Sequence, residues 1–478
     1  ELPGLTVTPG LTDAHVHLVE WALARRQVAL EAADSPAAAA ARVAEAAVGT
    51  AGEWIRGRGW DPHRWREPAH RDHLDRVLGD RPVVLQSHDM HSLWASSAAL
   101  ERAGIDAATP DPEGGRIERD ATGRPTGVVR DNAMPLLLRA VPEPAEADRR
   151  GALEDGQAAL HRWGVTGVHT VEPGTLGLLE ELRAGDRLRL RILQHLPLAG
   201  LDDAIRLGVR SGFGDEWLRI GGVKMFLDGA LGSRTAWLRE PYEGRTDRGV
   251  STLPPAEFRD AVRRGAAAGL AMTVHAIGDA AMDLALDVLT EHPEPPGPIP
   301  HRIEHAQLIG PDRLGVDGGR EEPRVPPAVK RIVFSVQPSH LSTDWRAADR
   351  HWGVRSRWAY ALGSLERAGL TLAFGSDAPV EPPDPRRGLY TAVARRDLSG
   401  EPAAGWHPEE RLSTESAFRA YTIGVARAAG DPRQGRLTPG SFADLVAWDR
   451  DPVAAGPDTL LEMEAKLTMV GGETVWSE

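Results

Sequence analysis

Short apolar runs that end in polar residues, each followed by a helix-like stretch, recur along the 478-residue chain. This rhythm is typical of β/α units arranged around a parallel sheet. We predict eight strands, at Leu5–His17, Val165–Thr170, Leu188–His195, Leu218–Leu227, Leu270–His275, Arg302–Ala306, Arg331–Gln337 and Thr371–Ser376. Eight such units favour an α/β fold closed into a (β/α)₈ TIM barrel. An open doubly wound sheet is the alternative, but no Gly-x-Gly-x-x-Gly motif follows a predicted strand to support it.

The interval between the first two predicted strands is too long for a single helix, so we predict an inserted subdomain at residues 21–148. It contains an Ala-rich helical stretch at Pro36–Val48, a Trp- and His-rich segment at Trp60–Trp65 and a turn-rich run at Asp111–Gly115. Because segments that follow barrel strands extend from the catalytic face, we expect this subdomain to cover the active site.

The chain changes character after the predicted barrel, which we assign to residues 9–434. Gly435–Leu437 and Ala443–Trp448 are typical of short strands, and Lys466–Trp476, with Gly471-Gly472 at its centre, predicts a hairpin. Residues 1–8 and 435–478 therefore predict a small β-sandwich-like domain.

The composition narrows the possible partners. A formal net charge of -13 disfavours nucleic acid, because an acidic surface repels phosphate backbones. No segment approaches the roughly 18 consecutive apolar residues of a membrane span. We expect a cytoplasmic protein that acts on a small molecule, with a homodimer as a reasonable oligomeric state. The chain has no cysteine, so a metal would need His, Asp, Glu or modified Lys ligands.

Ligand-type residues lie at the ends of several predicted strands. His15-Val16-His17 closes the first strand, and residues i and i+2 of a strand face the same side, so both imidazoles point together. The carboxyl ends of barrel strands are where barrel active sites lie. Comparable positions on other strands are held by Lys224, His275, His305 and Asp377. Any one of these is more often a satisfied structural residue, but their joint placement on one face predicts a metal centre.

Neutral imidazoles and a carboxylate suit Zn²⁺, and also Mn²⁺, Fe²⁺ or Co²⁺. Two divalent ions about 3.5–4 Å apart need an anionic bridge, which a lysine carbamate formed from CO₂ supplies. Only three of the 56 basic residues are lysines, and arginine cannot form this carbamate, which fits the retention of Lys224. Water between the ions would reach a pKa of about 7 and act as hydroxide. Asp377 would then serve as general base and afterwards as general acid.

A second group of residues is predicted to contact the substrate, with a structural role as the alternative for each. It consists of Trp60, His91, Asp228, Arg234 and His340. We predict a structural role for His195, and the role of His169 is open.

The segment Pro9–His17 resembles the opening motif of the amidohydrolase superfamily. Several further segments resemble its YtcJ-like branch, the amidohydrolase family 3 group that includes N-substituted formamide deformylases: Lys224–Arg234, Val274–Asp279, Arg302–Gln307, Gly375–Val380, Leu85–Leu100 and Gly114–Val128. The resemblance spans nearly the whole chain. It implies that His15, His17 and Asp377 hold one metal ion and that His275 and His305 hold the other, with Lys224 carboxylated between them.

The sequence departs from this branch in two places. The branch often has His-Asp where this chain has His169-Thr170. It also has strands before the first motif that are almost absent here, so we expect either a truncated chain or a small β domain with an incomplete N-terminal part.

We therefore expect a metal-dependent amidohydrolase that cleaves a C–N bond of an amide, N-acyl or N-formyl compound with metal-activated hydroxide. One alternative is a single-metal deaminase or cyclic-imide hydrolase, in which Lys224 would have no bridging role. An alternative of another class is a non-catalytic binding barrel, which would bind its partner without needing the metal.

Overall fold

The computed structural model describes residues 3–48, 54–61, 65–87, 92–112, 114–292, 297–316, 324–454 and 456–478. The chain forms two compact units. The barrel unit consists of Glu1–Trp21 and Glu154–Glu478, and the inserted unit consists of Ala22–Leu153. No helix in the described ranges is long and apolar enough to cross a membrane.

Eight strands of the barrel unit form one parallel sheet in chain order. They are β1 (Leu11–Val16), β2 (Val165–Thr170), β3 (Arg191–Pro197), β4 (Leu218–Phe226), β5 (Met272–Ala276), β6 (Arg302–His305), β7 (Val333–Val336) and β8 (Thr371–Phe374). The sheet closes where Val16, at the end of β1, forms a parallel bridge to Ala378, just beyond β8. The predicted (β/α)₈ barrel is confirmed.

Helices follow these strands along the chain, and several of them pack against the sheet through an apolar face. Asp279–Glu291, for example, buries Met282, Ala285 and Leu289 at helical spacing. The α-helices of the barrel unit and its boundaries are Leu18–Ala24, Glu146–Arg162, Leu176–Ala184, Leu201–Leu207, Pro255–Ala267, Asp279–Glu291, Pro311–Leu314, Leu341–Trp352, Leu362–Arg367, Pro385–Ala394, Thr414–Tyr421, Ile423–Ala428 and Pro457–Glu462.

The first predicted strand is in fact two strands. Thr6–Pro9 pairs antiparallel with Leu445–Trp448, whereas β1 pairs with β2. The break falls at Gly10, where a Cβ atom would lie 2.3 Å from Oγ1 of Thr166. Only glycine allows the two segments to approach so closely, so the chain changes sheets at this residue.

The C-terminal strands form a single antiparallel sheet with the first strand of the chain. Its order is Thr6–Pro9, Leu445–Trp448, Ala465–Val470 and Glu473–Ser477. The predicted hairpin is confirmed, and its turn uses Gly471 and Gly472, both with positive φ. The strand predicted at Gly435–Leu437 is wrong, because these residues follow an irregular path.

The inserted unit contains a mixed sheet of six strands. In spatial order they are Val28–Ala29, Ile55–Trp60, Val83–Ser87, Ser92–Ala95, Pro125–Asp131 and Gly115–Arg119, accompanied by helices Pro36–Ala47, Arg71–Leu78, Ser97–Arg102 and Met134–Leu138. The predicted Ala-rich helix begins after Ser35, whose hydroxyl caps the N–H of Ala38.

Candidate metal centre

Three of the predicted ligand residues meet where the barrel closes between β1 and β8. Nε2 of His15 lies 3.3 Å from Oδ1 of Asp377, and Nε2 of His17 lies 3.5 Å from the same oxygen. The backbone fixes this arrangement, since the N–H of Asp377 donates to the carbonyl of His15. His15 and Asp377 are buried, whereas 29% of the His17 side chain is exposed, so this end of the cluster opens to solvent.

His305, at the end of β6, contributes to the same cluster from a strand that only β7 separates from β8. Its ring centroid lies 5.1 Å from that of His15 and 4.4 Å from that of His275 on β5. One ligand atom each of His15, His305 and Asp377 lies within 4.8 Å of the others. Two imidazoles and a carboxylate at this spacing have the composition of a divalent-metal site.

Two of these residues hold their side chains in the cluster through a strained backbone. His305 has φ of +69° and Asp377 has φ of +59°, in the left-handed region that residues other than glycine rarely adopt. Regular alternation along β6 would send Glu304 and His305 to opposite faces of the sheet. Each such conformation costs about 1–3 kcal/mol, and strain of this kind is concentrated at functional sites.

Lys224 lies on β4 with its amine inside the barrel. The residue is 4% exposed, and Nζ has no hydrogen-bond partner among the residues that the structure describes. Nζ lies 4.7 Å from the centroid of the Phe226 ring. Burial lowers the pKa of this amine to about 8, although Glu304 and Asp377 oppose the shift. A buried ammonium without a partner is costly, so this position favours a neutral or modified lysine.

Glu304, to which the sequence analysis gave no role, orients His15. Its Oε2 accepts a hydrogen bond of 2.6 Å from Nδ1 of His15, and its Oε1 lies 2.6 Å from Nε of Arg302. A carboxylate can only accept, so Nδ1 of His15 carries the proton and Nε2 is free to act as a ligand. Arg302 and His15 keep the pKa of the fully buried Glu304 well below its usual value, against the effect of burial.

Asp13 is a second supporting residue that sequence reasoning missed. Its Oδ1 accepts from the N–H groups of His15 and Ser376, and its Oδ2 accepts from the Ser376 hydroxyl. Asp13 therefore ties together the two chain segments that carry His15 and Asp377. Burial raises the pKa of Asp13 to about 6.

His275 is adjacent to the cluster and contacts the loop after β4. Its Nε2 lies 3.1 Å from the carbonyl oxygen of Gly229 and 3.4 Å from Oδ1 of Asp228. Burial lowers the pKa of His275 to about 3, so its ring is neutral at ordinary pH, which is the form that binds metals.

Asp228 was predicted to contact the substrate, and the structure shows that it organises two loops. Its carboxylate accepts from the N–H groups of Trp237, Ile277 and Gly278. Burial raises the pKa of Asp228 to about 7. These contacts hold the segment after β5 beside the segment after β4, and substrate contact by Asp228 stays a prediction.

The other predicted substrate residues are dispersed. His340 donates from Nε2 to the carbonyl of Ser376, and its ring centroid lies 6.2 Å from that of His305. Arg234 is exposed on the loop after β4, with φ of +58°. His91 lies outside the described residues. Substrate contact by His340, Arg234 and His91 stays a prediction.

The structure places Trp60 in the core of the inserted unit. Its ring stacks on Trp65 and meets Trp94 edge-on, and its Nε1 donates to the carbonyl of Leu85. The indole is 1% exposed, which gives it a packing role. Substrate contact through this residue also stays a prediction.

His169 and His195 lie inside the barrel, apart from the cluster. Nδ1 of His169 accepts from Arg302, and Nδ1 of His195 accepts from the N–H of Gly222. Burial holds the pKa of both imidazoles well below the usual value. Both residues therefore act as neutral acceptors in the polar interior of the barrel.

The structure is a parallel eight-stranded barrel, with buried imidazoles and a carboxylate at the carboxyl ends of its strands. These features define a class of barrel proteins suited to hold a metal ion. Comparison with known proteins makes this assignment specific. The sequence profile of the amidohydrolase family matches residues 1–476, so the chain belongs to the amidohydrolase family.

Three similar proteins illustrate this membership. YtcJ of Bacillus subtilis (strain 168) is 31% identical over 491 residues, which cover 100% of this chain and 90% of YtcJ. The N-substituted formamide deformylase of Arthrobacter pascens is 28% identical over 506 residues, covering 99% of this chain and 88% of the deformylase. An uncharacterized metal-dependent hydrolase of Pyrococcus horikoshii OT3 superimposes with a TM-score of 0.79 at 28% identity, covering 96% of this chain and 88% of that chain. Together they support metal-dependent hydrolysis as the general class of chemistry.

Proposed function

We propose that this protein is a metal-dependent hydrolase that cleaves the C–N bond of an amide, such as an N-acyl or N-formyl amine. The observation that carries the proposal is the cluster of His15, His305 and Asp377, whose ligand atoms lie within 4.8 Å of one another at the barrel mouth. The relative from Arthrobacter pascens is named for deformylation of N-substituted formamides, which supports an amide substrate.

The side chains present fit divalent metal ions. Nδ1 of His305 and Nζ of Lys224 are buried without hydrogen-bond partners in the described part of the chain. Buried polar atoms are normally satisfied, so these two atoms are suited to bind a metal ion or, for Lys224, to carry a modification that does. In this proposal His15, His17 and Asp377 would hold one ion, and His275, His305 and a carboxylated Lys224 would hold the second. Zn²⁺ suits these donors, as do Mn²⁺, Fe²⁺ and Co²⁺. Bound ions of this kind polarise a carbonyl group and lower the pKa of a water molecule to about 7.

Carboxylation of Lys224 is consistent with the position of its amine. The neutral amine would attack the carbon of CO₂, so that an N–C bond forms while one C=O π bond breaks and its electrons move to oxygen; the nitrogen then loses a proton to water, and the product is a carbamate anion. Burial favours the neutral, nucleophilic form of the amine. The product would be an anion near His275 and His305, the pKa values of which burial lowers, and it would add an anionic donor for a divalent ion.

Asp377 is the proposed proton carrier. His15 and His17 keep its pKa well below the usual value, so it is a carboxylate at neutral pH. In that form Oδ1 or Oδ2 can accept a proton from the attacking water and deliver it to the leaving nitrogen. Glu304 contributes by keeping the His15 ring in one tautomer and one orientation.

One observation favours a second candidate, a single-metal deaminase or cyclic-imide hydrolase. The compact group of donors contains His15, His305 and Asp377, and His275 lies outside it. One ion would satisfy that group, and Lys224 would then have no bridging role.

Metal content separates the two candidates. Elemental analysis of the protein prepared with bicarbonate should give close to two ions per chain, and Lys224→Ala should lower this number sharply. Lys466→Ala is the matched control, because Lys466 is a partly exposed lysine paired with Glu464 and Glu478. One ion per chain in all three proteins would favour the single-metal reading.

A spectroscopic test addresses the carbamate directly. Protein incubated with ¹³C-labelled bicarbonate should show a protein-bound carbamate carbon by NMR, in wild type and Lys466→Ala but not in Lys224→Ala. The absence of this signal from metal-loaded wild type would refute carboxylation.

Product analysis identifies the bond that is cleaved. Incubation with a panel of N-formyl and N-acyl amines should release a carboxylic acid together with the amine, whereas a deaminase acting on amino-substituted rings would release ammonia. Metal-loaded protein that is inactive on amides, esters and cyclic amidines, and that binds small molecules equally well after metal removal, would instead indicate a non-catalytic binding barrel.

A further inference from the structure

A groove of about 560 Å³ lies at the end of the barrel opposite the candidate metal centre. Val333 and Thr371, the first residues of β7 and β8, form part of its wall. The ligand residues follow the carboxyl ends of the strands, so the groove belongs to the amino-terminal face. Its volume is in the range of about 300–1,000 Å³ that is typical of small-molecule sites.

Four exposed cationic residues line this groove: Lys330, Arg331, Arg427 and Arg436. None of them forms an ion pair with any residue that the structure describes, and Arg427 has one weak contact, 3.3 Å from its Nη1 to Oγ1 of Thr371. Among the lining residues that the structure describes, the one acid is Asp431, whose carboxylate already binds Arg219 and Arg433. The groove is therefore strongly cationic in a chain whose net charge is -13.

Elsewhere on the barrel unit, arginines are commonly matched by acids. Arg239, for example, binds Asp283 and Asp312, and Arg313 binds Asp283 and Asp287. Against this background, four cations around one concavity, without acidic partners in the described part of the chain, repel one another and give a local positive potential that attracts anions.

The groove also has an apolar side. Pro298, Pro300, Ile423 and Ala426 contribute to its lining beside the cations. A ligand that fits both parts carries an anionic group and an apolar group. Guanidinium groups match phosphate oxygens through paired hydrogen bonds, and lysine adds a point charge.

We propose that this groove is a binding site for a small organic phosphate. The phosphate contacts Arg331, Arg427 and their neighbouring cations, and the organic part lies against Ile423 and Ala426. A long polyanion such as nucleic acid is disfavoured, because the chain as a whole carries a net charge of -13. The site is independent of the proposed hydrolase activity, so the failure of one proposal leaves the other standing.

The test measures binding of adenosine 5′-monophosphate and of inorganic phosphate by isothermal titration calorimetry, with the metal-loaded protein. The nucleotide should bind with saturation and more tightly than inorganic phosphate, and added NaCl should weaken it. The double variant Arg331→Ala/Arg427→Ala should weaken nucleotide binding about tenfold or more, since each substitution removes a charged hydrogen bond.

The matched control is Arg206→Ala/Arg263→Ala, which removes two exposed arginines that are paired on other helices. It should bind the nucleotide as wild type does. The single variant Lys330→Ala provides a second probe of the groove, and all variants should match wild type in urea unfolding, because the changed side chains are exposed.

Several outcomes would overturn the proposal. They are the absence of saturable nucleotide binding at millimolar concentration, equal affinities for nucleotide and inorganic phosphate, and affinity unchanged in the groove variants. Nucleotide binding that disappears on metal removal would place the phosphate at the metal centre. Tighter binding of a single-stranded oligonucleotide, lost in the groove variants, would identify a nucleic-acid surface instead.

Discussion

The substitution Glu304→Gln should weaken metal binding at the candidate centre about 10–100-fold, although Glu304 is not one of the proposed ligands. The change keeps the size of the side chain and removes its charge. It therefore removes the charged acceptor that sets the tautomer of His15 and makes its Nε2 a stronger ligand.

The magnitude follows from the surroundings of Glu304, which is 0% exposed and has two contacts of 2.6 Å, to His15 and Arg302. A 10–100-fold loss of affinity corresponds to about 1.4–2.8 kcal/mol. The substitution also leaves the buried guanidinium of Arg302 without its counter-charge, which should lower the free energy of unfolding by about 3–5 kcal/mol. The loss of metal affinity and the loss of stability are separable, because the affinity concerns the metal-bound protein, whereas the loss of stability also exists without metal.

The assay is competition for Zn²⁺ with a chromophoric chelator, followed by urea unfolding in excess chelator. Glu410→Gln is the matched control, since Glu410 is also 0% exposed and pairs with an arginine, Arg357, but is not part of the cluster. The control should lose stability and keep its metal affinity. If Glu304→Gln retains the affinity of wild type, or if both variants lose affinity equally, the role assigned to Glu304 is wrong.

Two further predictions concern stability. Asp444→Asn should lower the free energy of unfolding by about 3–5 kcal/mol, because Asp444 forms a buried bidentate ion pair with Arg191. Metal content should not change. Urea unfolding and elemental analysis check the two expectations, and an unchanged unfolding midpoint would contradict the first. Burial lowers the pKa of His161 and of His301 to about 4, so between pH 6.5 and 4 the unfolded chain binds protons that the folded chain does not. Stability should therefore fall with decreasing pH through this window, by up to about 3 kcal/mol for each histidine, and His161→Gln should lose less than wild type between pH 7 and 5 in urea unfolding.

The barrel could be predicted from sequence because each of its strands is a short apolar run that a helix follows. β2, at Val165–Thr170, has the bounds that its sequence predicts, and most other strands begin or end within a few residues of the prediction. The first predicted strand is an exception, because it is divided into two strands at Gly10, and this division has a physical reason. The apolar pattern continues across this residue, while the contact with Thr166 that forces the change of sheet depends on a neighbouring strand.

The candidate ligand residues could be proposed from sequence for the same reason, since position at a strand end is a local property. The supporting residues could not. Glu304 is 289 residues from its partner His15, and Asp13 is 363 residues from Ser376, so each contact exists only after the barrel has closed. One local signal was available in β6. Arg302 and Glu304 occupy alternate positions of a buried strand, so both side chains face the same side, and buried charges need charged partners.

His305 shows why the prediction of a candidate ligand does not give its geometry. A period of two along β6 would place His305 on the opposite face from Glu304, yet both contribute to the same cluster. The chain resolves this conflict with φ of +69° at His305 and +44° at Ala306, conformations that neither residue favours by itself. The strain is maintained by the packing of the barrel around it. The sequence pattern therefore identifies His305 as a candidate ligand, and only the folded barrel determines that its ring lies 5.1 Å from that of His15.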